Sequence, residues 1–76
     1  MTTVPLPQLP CDSVARVTDL QVDDDDATRL KAMGICIGRR VQLVRAGDPL
    51  IVRILGARIG LSSRLATGVK VEPVAG

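Results

Sequence analysis

The sequence predicts a mainly β fold: a small barrel of about five short strands, with a short α-helix after the first strand and a helical turn before the last. Three observations carry that expectation. Apolar and polar residues alternate over short runs for most of the chain, the period of half-buried strands. Turn material, Gly47-Asp48-Pro49 and Gly56-Ala57 above all, separates those runs. With 76 residues the chain has room for one domain and a thin core, too little to cover an open sheet with separate layers.

The elements follow in order. Residues 1–12 form an extended arm, because Pro5, Pro7 and Pro10 remove backbone donors and favour extended geometry. Leu6 and Leu9 are the residues of this arm suited to docking on the domain, which occupies residues 13–76. From Val14 to Val22 the alternation puts Ala15 and Val17 on one face and Arg16 and Thr18 on the other, then changes phase to Leu20 and Val22. A bulge or strong twist near Asp19 accounts for that change. Asp23-Asp24-Asp25-Asp26 opens a helix, since carboxylates accept from its first free amides and favour the positive end of its dipole. Ala27, Leu30 and Met33 then form one helical stripe, and Gly34 supplies a left-handed stop. Strands are expected over 40–46, 50–55 and 58–61. Ser62 to Thr67 reads as one helical turn capped by serine, and Gly68 to Val74 as a last strand with Val69 and Val71 inward and Lys70 and Glu72 outward. A Greek-key or SH3-like barrel is the economical closure, because it removes edges that an open sheet would leave exposed.

Composition excludes several function classes. There is no histidine and there are only two cysteines, so neither a four-cysteine nor a two-cysteine, two-histidine zinc site is possible, and no imidazole is available as a general base. Phe, Trp and Tyr are absent, which removes the aromatic grooves that hold Pro-rich peptides and the rings on which single-stranded nucleic acid stacks. No stretch approaches the roughly 18 apolar residues of a membrane-spanning helix. The start of the chain has neither the basic nor the apolar region of a signal peptide, which points to the cytoplasm and to Cys11 and Cys36 as free thiols. The net charge is only +2, yet arginine dominates the basic residues, the type suited to bidentate contact with carboxylate or phosphate.

Few residues qualify as a site. The aspartate run offers Asp24 and Asp25 as hard-cation ligands, but consecutive side chains on a helix diverge by about 100°, so helix capping is the better account. Cys36 lies in the Gly34 to Gly38 turn, where a thiolate can meet a transition metal, and buried or half-buried structural cysteine is again the better account. Gly34 and Gly38 lack the Lys-Ser or Lys-Thr of a phosphate loop. No nucleophile and base pair, metal cage or phosphate cradle argues for an enzyme, and no cofactor is expected. The remaining candidate is a docking surface for a partner protein: the helix and its turn, with Arg29, Leu30, Met33, Ile35, Ile37 and Arg39, a mixed arginine and aliphatic patch. Self-association is left open.

One run carries a family resemblance. Arg29-Leu30-Lys31-Ala32-Met33-Gly34-Ile35-Cys36-Ile37-Gly38 resembles the helix-turn signature of the ferrous iron transport protein A family (FeoA). The hairpin Asp48 to Gly56 and the closing segment Ile59-Gly60-Leu61-Ser62 to Val71 resemble that family's later motifs. The resemblance spans Leu9 to Val74, with Ile37 where the family usually has proline, Ser62 where it often has arginine, and Cys11-Asp12 where glycine commonly precedes the first strand. It implies an SH3-like barrel and a non-enzymatic accessory role in ferrous iron uptake. The implied partner is a FeoB-type membrane GTPase transporter, bound without insertion into the membrane and without nucleic acid. Related barrels also occur in metal-dependent repressors, so a regulatory module of such a system, or a small transition-metal-binding protein, are the alternatives.

Overall fold

The computed structural model describes residues 3–74. Six strands, β1 (Val4–Pro5), β2 (Val14–Leu20), β3 (Arg40–Arg45), β4 (Leu50–Ile54), β5 (Ala57–Leu61) and β6 (Val69–Pro73), form one antiparallel sheet in the order β1-β6-β2-β3-β4-β5. Helix α1 (Asp24–Ala32) joins β2 to β3, and the short α2 (Ser63–Thr67) joins β5 to β6. This is the SH3-like arrangement with a strand more than expected.

The extra strand lies in the proline-rich lead-in. Val4 and Pro5 pair with Val71 and Lys70, a single 3-10 turn follows at Leu6–Gln8, and Leu6 and Leu9 are buried. Proline is tolerated there because β1 lies at the edge of the sheet. Next, Asp12 adopts a left-handed φ of 69°, which explains why glycine suits that position. Aspartate tolerates this conformation better than most residues.

β2 carries the expected irregularity: its register against β6 shifts between Val17 and Asp19. Ala15 and Val17 point into the core before the shift, and Leu20 and Val22 pack partly against it afterwards. One extra residue in the strand turns the second pair of apolar side chains back inward. β4 and β5 meet through Leu55-Gly56 rather than Gly56-Ala57, since Ile54 pairs with Ala57. Both turn residues have positive φ, 51° at Leu55 and 81° at Gly56, the pattern of a type I′ hairpin.

Among the described residues sixteen aliphatic ones fill the core, Leu6, Leu30, Ile35, Leu43, Leu50 and Leu61 included, and no polar or charged side chain is buried. A helix as short as α2 depends on its caps. Ser62 Oγ accepts from the Leu65 amide at 3.1 Å, as expected of a serine cap, and Asp48 Oδ1 accepts from the Ser63 amide at 3.1 Å. Gly68, which closes α2, has no room for a side chain: a Cβ would lie 2.8 Å from the Gln21 carbonyl oxygen and would also overlap Val22. Among the described residues no helix is long and apolar enough to cross a membrane.

Candidate functional site

Local chemistry fixes both ends of α1. Asp23 Oδ1 accepts from the Asp26 amide at 2.8 Å, and Asp24, Asp25 and Asp26 occupy the first turn beside the positive end of the dipole. At the other end Gly34, with φ 92°, donates to the Lys31 carbonyl at 3.0 Å, and Ile35 donates to the Leu30 carbonyl at 2.9 Å. These two bonds make a Schellman motif, in which the residue after the glycine packs against the one five positions earlier. Leu30 and Ile35 hold those positions, and both are fully buried in the core.

The sequence-based surface therefore divides by depth. Arg29 is exposed, Met33 and Arg39 are half-buried, and Ile37 is 63% exposed. Leu30 and Ile35, expected on the docking surface, lie beneath it. Helical spacing alone does not separate the two groups; the Schellman closure does, by folding the chain back so that Leu30 and Ile35 face inward together.

A second turn holds the exposed residues in place. Arg39 donates to the Cys36 carbonyl at 3.0 Å with Gly38 at φ 92°, the geometry of a type II turn with Ile37 at its first central position. Gly38 donates to the Val17 carbonyl at 2.8 Å and the Val17 amide to the Arg39 carbonyl at 2.9 Å, which ties this turn to β2. A Cβ on Gly34 would stand 3.5 Å from Ile54 Cγ2, so the helix end rests on the last residue of β4. Leu55, the next residue, is 80% exposed. Sequence reasoning assigned Leu55 to the strand; the signal for it was the phase of Leu50, Val52 and Ile54, which turns Leu55 outward.

The metal candidates do not converge. Asp24 and Asp25 are exposed on the first helical turn, Asp26 lies 3.4 Å from Arg64, Cys36 is half-buried and Cys11 is exposed. Among the described residues no group of three or more acidic, cysteine or histidine side chains is placed to hold an ion. An open cleft of about 370 Å³ runs between the β2–α1 junction and α2. Its charges are already engaged, since Asp23 caps α1, Asp26 meets Arg64, and Lys70 Nζ donates to the Thr67 carbonyl at 3.1 Å.

Comparison with known proteins fixes what this arrangement belongs to. The FeoA domain model matches residues 4–73. This chain is a member of the FeoA family. The crystal structure of an iron uptake regulatory protein, FeoA, superimposes with a TM-score of 0.90 at 23% identity, covering 97% of this chain and all of that one. FeoA from Stenotrophomonas maltophilia, solved with zinc and described as a prokaryotic SH3 domain protein with a suggested role in activating ferrous iron transport, is 32% identical over 95% of this chain and 91% of its own, with a TM-score of 0.73. The fold also recurs inside a longer protein: IdeR from T. acidophilum matches with a TM-score of 0.90 at 23% identity, but this FeoA-family chain spans only 35% of it. No curated protein sequence matches significantly.

Proposed function

We propose that the protein is a non-catalytic accessory factor in ferrous iron uptake, working in the cytoplasm through contact with a FeoB-type membrane GTPase. The observation that supports this reading is the exposure of Arg29 and Ile37, with Met33 and Arg39 half-buried, at the end of α1 and in the turn that follows. Two arginines together with Met33 and Ile37, carried on the end of α1 and on a turn held by backbone bonds to β2, suit a preorganised binding patch. Such a patch regulates by binding one conformation of its partner more tightly than another.

The test is a titration of purified FeoB-type transporter in detergent with this protein and with the Arg29→Glu, Arg39→Glu double variant. Wild type is expected to bind, and the folded double variant to bind at least about tenfold more weakly, the equivalent of about 1.4 kcal/mol. Equal affinity of the two removes the proposed surface. No binding by either form removes the proposed partner.

A further inference from the structure

The two edges of the sheet are unlike. β1 is two residues long and contains Pro5, which has no N–H to offer a further strand. β5 runs for five residues without proline, and Ala57, Arg58 and Gly60 along it are exposed. Its sheet neighbour is β4 alone, so the ladder stops at β5 and this edge is open where a closed barrel would have none.

Register identifies the groups that this edge presents. Ile54 and Ala57 flank the two-residue turn and face each other. In such a hairpin the flanking pair exchanges hydrogen bonds, and the pattern then alternates along the ladder. Ala57, Ile59 and Leu61 thus direct their amides and carbonyls to β4, while those of Arg58 and Gly60 point away from it. Among the described residues no other segment bonds to the backbone of Arg58 or Gly60. Two donors and two acceptors remain, in an order and spacing that an extended strand satisfies as a set.

Charge narrows the class of strand. Arg58 faces Arg53 across the ladder, and both are exposed. Theirs is a pair without mutual backbone bonds, which brings side chains closest, and like charges directly opposite destabilise a sheet. The next residue in that row, on β3, is Gln42, so no carboxylate offsets them there. Neither arginine forms an ion pair among the described residues.

We propose that the open edge of β5 receives an extended acidic segment of a protein partner as a further strand. Its backbone pairs with Arg58 and Gly60, and its carboxylates lie on the Arg53 and Arg58 side. The pleat then requires alternation, with acidic residues on that face and apolar ones on the face of half-buried Ile59. This site uses none of the residues of the α1 surface and stands or falls independently of the transporter reading.

The test uses the full chain, labelled with nitrogen-15, and a capped seven-residue peptide alternating glutamate and valine. Amide shifts are expected to concentrate on β5, with hydrogen exchange at Arg58 and Gly60 slowed at least about tenfold at saturation. The same peptide N-methylated at every residue is expected not to bind, and a lysine and valine peptide to bind at least about tenfold more weakly. The Arg53→Glu, Arg58→Glu double variant, changed at two exposed positions and leaving the outward amides intact, is expected to reverse that preference. Absent or scattered shifts overturn the proposal, as does equal binding of the N-methylated or the lysine peptide. Shifts at Arg58 and Gly60 that grow with protein concentration alone also overturn it, because the edge then belongs to a second copy of this chain.

Discussion

Leu55 sits in a left-handed conformation at φ 51° with its side chain in solvent, a placement that costs a branched residue roughly 1–2 kcal/mol and gains no packing in return. Asparagine suits the first central position of a type I′ turn, so Leu55→Asn is expected to raise the stability by about 1 kcal/mol, read from the urea midpoint at unchanged m-value. Ile37 illustrates the same logic in a different turn. It occupies the type II position at which proline is favoured, and its amide makes no backbone bond in the described structure. Ile37→Pro should therefore add about 0.4–1 kcal/mol by limiting the unfolded chain; a lower midpoint would show that residue 36 or 37 does not have the turn geometry assigned to it. Gly68 behaves oppositely. Its φ of −78° suits any residue, and what excludes a side chain is the proximity of Gln21 and Val22. Gly68→Ala is expected to cost about 1–3 kcal/mol, as overpacking does.

Among the elements, α1 was the most legible because both of its ends are set by local chemistry. An aspartate side chain reaching the third amide ahead, and a glycine able to turn left-handed, can be read from the letters alone. Asp23→Ala is expected to destabilise by about 1 kcal/mol, measurable in the same urea unfolding. β1 reads only as a lead-in, since two residues beside several prolines become a strand only when β6, 67 positions later for Val4 and Val71, is alongside. The sequence places the turn between β4 and β5 one residue late for another reason: the run Leu50 to Leu55, interrupted by Arg53 alone, stays apolar through Ile54 and Leu55, and a leucine at positive φ carries no sequence signal. Depth at the candidate surface was hidden in the same way. The partnership of Leu30 and Ile35 crosses the end of a helix, where the 3.6-residue period no longer applies.

For the molecule as a whole, the small core sets the scale of every substitution. At typical stability per residue, a chain of 76 residues holds roughly 4–11 kcal/mol, and removing most of a fully buried leucine costs about 2–5 kcal/mol. Leu30→Ala is therefore expected to lower the unfolding midpoint sharply, while Arg29→Glu, one position away and exposed, leaves it within about 0.5 kcal/mol. Family membership was legible because the helix, its glycine closure and the following turn lie within one continuous run; the open edge at β5 was not, because strand order emerges only when distant segments meet. The all-aliphatic core has one more consequence. A protein without a single aromatic ring is dark to tryptophan fluorescence, so Ile37→Trp would install the sole emitter of the chain on the exposed turn beside α1. Its emission would report the polarity at that point alone, moving to the blue when a partner covers the turn and staying unchanged when binding occurs elsewhere.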